Sequence, residues 1–205
     1  VIALVNRERY PASTYPAGQW EYMRFYEERF DDARLAFEAN PYNQVKLLFR
    51  KGDPAGFGQP AATAMTRVHG GWFGALGQAP DVPRDDDVVS ENDLTESANH
   101  LDRNGFFGPD SYYMNHARNA EYSATALDDG VLHLPVLFLA AQYDYVCDAI
   151  TSDLALPMRE RCRDLTEHVV YSGHWMAQER PLDVNSFLAR WLATRFPQLW
   201  STSSP

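Results

Sequence analysis

LPVLFLAAQYD, residues 134–144, and EHVVYSGH, residues 167–174, decide how this chain is read. Each is a short apolar run that stops abruptly in polar residues, as expected of a strand buried on both faces. Between them LPMRERCRDL, residues 156–165, has the pattern of a helix, and DVNSFLARWLATRF, residues 183–196, predicts a long amphipathic helix behind the second run. Strand, helix, strand, helix is the rhythm of a parallel sheet covered by helices. In such sheets the working side chains sit just past the carboxyl ends of the strands. Asp144 and His174 occupy those two places, so an acid and an imidazole are expected at one edge of one sheet.

Working outward, VIALV at residues 1–5 is a continuous apolar run ending in the polar turn Asn6-Arg7-Glu8-Arg9, and it reads as a further strand of the same sheet. Residues 1–10 are therefore expected to be a core strand, 11–130 an inserted unit and 131–205 the remainder of the core. The inserted unit is rich in aromatic and charged residues and is broken by Pro and Gly into helical stretches. Trp20, Met23, Tyr26 and Phe30 fall at helical spacing, with Asp31-Asp32 and Asn40-Pro41 as start and stop signals. Ser90 with Asp93 forms a capping box for a helix that ends at Asn104-Gly105. Asp85-Asp86-Asp87 reads as a solvated loop.

The chain has 205 residues, 45% of them hydrophobic, and a formal net charge of -10. That acidic balance, with no basic cluster, argues against nucleic acid or an anionic membrane surface as partner. The opening apolar run is too short for a signal peptide or a membrane span. Two cysteines, Cys147 and Cys162, are too few for a disulfide framework, which fits a reducing, cytoplasmic setting. His100 and His116 have no partners at ligand spacing, and no dinucleotide or phosphate loop occurs, so neither a metal nor a cofactor is expected.

Taken singly, Asp144 could be a helix cap and His174 a structural histidine in a Ser-Gly-His turn. Their order, acid then histidine, matches that of the α/β-hydrolases, whose nucleophile comes earlier in the chain. LPVLFLAAQYDYVCD, residues 134–148, and YSGHWMAQERPLDVNSFLARWL, residues 171–192, together resemble the C-terminal third of the soluble epoxide hydrolases of that fold. Gly-His-Trp followed by Glu-Arg-Pro is the most specific part. GFFGPDSYYMNHARN, residues 105–119, is similar to the family's lid segment, and WEYMRFYEE, residues 20–28, to its other tyrosine-bearing lid segment.

The resemblance implies an α/β fold: the C-terminal part of an α/β-hydrolase parallel sheet with an inserted, mostly helical lid. It implies that Tyr22 and Tyr113 polarise an epoxide, with Tyr112 beside the second, and that Asp144 orients His174. Taken alone, any one of the chain's tyrosines reads more readily as lid packing, and Tyr26 and Tyr112 compete for the register. Trp20, Phe25, Tyr112 and Trp175 are the expected walls of a pocket for a small apolar epoxide. Neither the family's nucleophile elbow, Gly-x-Asp-Trp-Gly, nor its His-Gly-x-Pro element occurs in the chain, and Gly-x-Ser-x-Gly is absent too. The expected partner is therefore an N-terminal hydrolase segment carrying the nucleophile. HGGWFG at His69 superficially matches an oxyanion motif of lipases but lies inside the lid, and it reads as a glycine turn. The alternatives are an esterase, a lactone-forming enzyme or a dehalogenase on the same fold, or a binding protein without a nucleophile.

Overall fold

A computed structural model of the chain describes residues 2–199. Its inserted region carries α1 (Glu21–Glu38), α2 (Pro41–Leu48), α3 (Glu91–Asn104), α4 (Phe107–Ser111) and α5 (His116–Ser123), joined by turns and short 3-10 helices. The core follows as β1 (Leu132–Ala141), α6 (Leu156–Arg161), β2 (Cys162–Val170), α7 (Met176–Glu179) and α8 (Pro181–Arg195). β1 and β2 pair in parallel, from Leu132 opposite Cys162 to Ala141 opposite Val170. The ladder is irregular between Leu132 and Pro135, where proline has no N–H to give. Among the described residues no helix is long and apolar enough to cross a membrane.

Local signals explain the helices that precede β1. Asn40 accepts the Asn43 N–H at 3.0 Å and Pro41 opens α2 with its φ already helical. At α3 the Ser90 hydroxyl accepts the Asp93 N–H at 3.1 Å, so Ser90 caps the helix as expected, but the Asp93 carboxylate accepts the Ser90 hydroxyl at 2.6 Å where a capping box would have it accept the Ser90 N–H. Gly105, at φ 70, ends the helix in a conformation that a side chain would strain. Helix α1 is kinked at Arg29, which leaves helical φ/ψ, so Asp31 and Asp32 fall in the first turn of its second half.

Three expectations need correction. Residues 2–4 form a 3-10 turn, not a strand of the sheet. The run is short, the Asn6 side chain turns the chain by accepting the N–H groups of Glu8 and Arg9, and Val5 is buried instead against Tyr10 and Ala64. Val1 and residues 200–205 lie outside the described residues. Next, helix α6 stops at Arg161 and β2 begins at Cys162, five residues before the expected strand. Helix propensity is a weak preference, and pairing along nearly the whole length of β1 overrides it here. Finally, Asp85 is buried, not solvated, and accepts the Lys51 N–H at 3.0 Å.

The sheet is joined to the helical region before it by close backbone contact. The end of α2 and the loop after it run across both strand ends, with Gly52 wedged between Tyr143 and Gly173. A Cβ on Gly52 would meet the Gly173 nitrogen at 2.5 Å and the Tyr143 Cβ at 2.7 Å, and one on Gly173 would meet the Gly52 nitrogen at 2.6 Å. Glu179 of α7 locks the crossing, since one carboxylate oxygen accepts both the Gly52 N–H at 3.0 Å and the Gly173 N–H at 2.8 Å. Charge-assisted bonds of this kind contribute about 1.5–3 kcal/mol each. Gly52→Ala is therefore expected to cost about 2 kcal/mol or more and to lower the melting temperature by roughly 4–8 °C. Gly108→Ala, at a site with nothing within 4 Å, is the control. Thermal melts of the two variants compare them directly, and equal melting temperatures would remove the crossing as a structural constraint.

Candidate active site

Each member of the acid–imidazole pair is placed by the backbone that follows its strand. Beyond the last ladder positions, the Gln142 N–H donates to the Val170 carbonyl and the Tyr143 N–H to the Ser172 carbonyl, both at 2.9 Å. These bonds carry the pairing past the strand ends and bring Asp144 and His174 face to face. His174 Nδ1 lies 2.8 Å from Asp144 Oδ2. Asp144 Oδ1 accepts the N–H groups of Val146 at 3.1 Å and Cys147 at 3.0 Å, which fixes the carboxylate plane.

The electrostatics follow from that geometry. Burial acts to raise the Asp144 carboxyl, but the hydrogen bonds from His174 and from the two backbone amides outweigh it, and its pKa falls below the ordinary value. The Asp144 hydrogen bond lifts His174 above its usual pKa against the opposing effect of burial. The Asp144 side chain is 10% exposed and that of His174 50%, so the imidazole stands at the mouth of the site with its acid behind it.

Above this pair lies an aromatic cluster. Tyr22, Phe25, Tyr26, Ala33 and Phe37 of α1 pack with Phe106, and Trp20, Trp72, Phe73, Tyr113 and Val146 close around them. Val146 belongs to the acid loop, so it joins cluster to sheet. Rings of Tyr22 and Tyr113 meet edge to face at 5.4 Å. Burial raises both phenols, and for Tyr22 the neighbouring Tyr113, Cys147 and Asp144 add to it, so both remain protonated.

The other tyrosines are placed differently. Tyr26 is buried, stacked flat on Tyr113 at 5.0 Å, and its phenol is raised by burial and by the nearby Asp110 carboxylate. Tyr112 is 74% exposed, with its ring edge-on to Tyr113, so it turns to solvent and not into the cluster as a pocket wall would. Phe25 is buried within the cluster, and Trp20 bridges it to the packing around Val5. Trp175 stacks on Phe49 at 4.2 Å and donates its indole N–H to the Leu48 carbonyl at 2.8 Å, which docks the His174 loop on the end of α2. The HGGWFG segment forms a turn with Gly70 and Gly71 at positive φ, and it delivers Trp72 against Tyr22 at 5.4 Å.

No family model matches the chain. Among curated proteins it is 28% identical over 163 residues to Bifunctional epoxide hydrolase 2 of Mus musculus, an alignment covering 79% of this chain and 28% of that protein. It is 30% identical over 175 residues to Epoxide hydrolase A of Mycobacterium tuberculosis, covering 83% of this chain and 51% of the relative. The chain is similar to part of these epoxide hydrolases. It thus spans about half or less of the length of these relatives. Solved structures agree on the fold, that of a partial α/β-hydrolase: Epoxide Hydrolase A from Mycobacterium thermoresistibile superposes with a TM-score of 0.61 at 23% identity, covering 83% of this chain and 51% of that one. An epoxide hydrolase from Vigna radiata gives 0.57 at 19%, covering 92% and 55%.

Two groups at this hydrolase-like site escape a reading of the sequence. Cys147 is one; its only signal is a position three residues after Asp144. Asp110 is the other, a carboxylate one helical turn before Tyr113, 2% exposed, with Oδ2 lacking any hydrogen-bond partner. Burial pushes it up to about 7, against the partial relief given by the Tyr26 phenol. The folded chain then holds a proton that the unfolded chain releases between about pH 4 and pH 7. Asp110 therefore favours the folded state below about pH 4, and that advantage is lost as pH rises toward 7. Asp110→Asn should flatten the fall of melting temperature across that window and leave the variant relatively more stable at pH 8. Melts from pH 4 to 8 test it, and parallel profiles for the two proteins would count against a titrating Asp110.

Proposed function

We propose that this chain forms the lid, at residues 11–130, and the C-terminal core, at residues 131–205, of an epoxide hydrolase that works through a covalent alkyl-enzyme ester. The observation that carries the reading is the facing of Tyr22 and Tyr113, both kept protonated, in a cluster joined through Val146 to the Asp144–His174 loops. A carboxylate attacks one epoxide carbon, the C–O bond breaks, and the charge on the departing oxygen is met by the two phenols, one of which gives its proton. His174, neutral and oriented by Asp144, then removes a proton from the water that hydrolyses the ester. The products are a vicinal diol and the free carboxylate, and the proton taken by His174 returns through solvent to the phenol that gave one. Because charge develops in a dry aromatic setting, each donor counts for more than it would in water.

The attacking carboxylate is proposed to come from an N-terminal hydrolase segment. The chain's match to only part of each relative supports this, as does the sheet itself. Among the described residues β1 and β2 pair only with each other, and Leu134, Val169, Tyr171, Leu182 and Leu188 are exposed around them. Parallel sheets are stable where strands and helices cover their edges and faces. A small apolar epoxide is the substrate class that suits an aromatic lid.

Replacing Tyr22 or Tyr113 with Phe in the complete enzyme is expected to slow alkylation roughly 10²-fold, the cost of one oxyanion donor, while Tyr112→Phe has little effect. Single-turnover alkylation rates decide this, and normal rates for both Tyr22→Phe and Tyr113→Phe would sink the epoxide reading.

His174→Gln should alkylate normally and accumulate the ester, detectable as a mass increase equal to the epoxide. In the parent enzyme ester hydrolysis should rise with pH through the elevated His174 pKa, since only the neutral imidazole accepts a proton. Asp144→Asn should move that rise to lower pH. A midpoint unmoved by Asp144→Asn would separate His174 from its acid.

A further inference from the structure

Cys147 stands where the two halves of the site meet. Its thiol is close enough to Tyr22 and Tyr113 to influence both phenols, and it shares the acid loop with Asp144. Donor atoms of Asp144, Cys147 and His174 all lie within 4.8 Å of one another. No ligand spacing in the sequence announces this group, because it is assembled by the parallel pairing that brings two loops together. We propose that Cys147 Sγ, one imidazole nitrogen of His174 and one carboxylate oxygen of Asp144 form a binding site for a divalent cation of the zinc type.

The donor chemistry selects the ion. A thiolate with an imidazole and a carboxylate suits zinc and its borderline-soft neighbours, whereas magnesium and calcium favour oxygen donors alone. Zinc bonds of about 2.0–2.3 Å set tetrahedral donors roughly 3.3–3.7 Å apart, so side-chain rotation has to draw in donors near the 4.8 Å limit and open the 2.8 Å His174–Asp144 contact. Binding displaces the thiol proton to solvent, so one thiolate and one carboxylate balance the double charge. The site is also partly preorganised: the Asp144 carboxylate holds the Cys147 N–H at 3.0 Å and His174 at 2.8 Å before any ion arrives. Three protein donors leave a fourth position for water or a group from the pocket.

The consequence for catalysis rests on the epoxide-hydrolase reading. An ion bound here holds His174 and Asp144 together, so the imidazole cannot serve as base, and hydrolysis of the ester stops while the ion stays. Cys147 would thus make the enzyme sensitive to zinc through its own catalytic pair.

Cobalt(II) added to the purified chain reports the site without any epoxide. The expected result is a near-ultraviolet thiolate-to-cobalt absorption band that zinc abolishes by displacement. Cys147→Ser and His174→Gln should each lose the band, while Cys162→Ser, altering the other free cysteine at the start of β2, should keep it. Competition titrations should show zinc affinity falling roughly 10-fold or more in Cys147→Ser. Absence of a thiolate band in the parent chain, or a band that survives Cys147→Ser, overturns the proposal. Alkylation failing while the band persists would instead defeat the epoxide reading and leave the metal site standing.

Discussion

The crossing of two backbones at Gly52 and Gly173 is the constraint on which the site depends. His174 follows one side of that crossing and Asp144 follows Tyr143, whose Cβ flanks the other, so Gly52 touches the residue before each member of the pair. Neither glycine can carry a side chain without pushing lid and sheet apart. The Glu179 carboxylate then gathers both amides, and Trp175 adds its stack on Phe49 and its bond to Leu48. The helical region before β1 is thus fixed to the sheet at the place where the chemistry is proposed.

On either side of that junction the environments differ in a way that suits two successive steps. Below, Asp144 is ionised and His174 reaches the mouth of the site, where water is at hand. Above, an aromatic cluster excludes water and keeps its phenols protonated by burial. Asp110 is buried near Tyr26, which stacks on Tyr113. A buried carboxyl with one unpartnered oxygen is costly, and burial raises its pKa.

Much of the helical region before β1 was legible because its signals are local. Ser90 with Asp93, Asn40 with Pro41, and Gly105 all act within a few residues of themselves, and each helix end falls where those residues require. The strand at residues 2–5 and the helix through Leu165 were misread for the same physical reason. An apolar run becomes a strand only where a neighbour supplies its hydrogen bonds, and the residues after Arg161 became a strand because β1 was there to pair with them.

The sequence by itself determined the order of the elements, the strand ends that carry Asp144 and His174, and the family likeness of the segments bearing Tyr22 and Tyr113. Those properties are written in short-range patterns, the alternation of apolar runs with turns and caps. Which tyrosine faces which, the burial of Asp110, the sharing of Glu179 by two distant glycines and the meeting of Cys147 with His174 were decided only by the tertiary structure. Each depends on distances between residues far apart in the chain, and these are set by how the lid packs across the ends of two parallel strands.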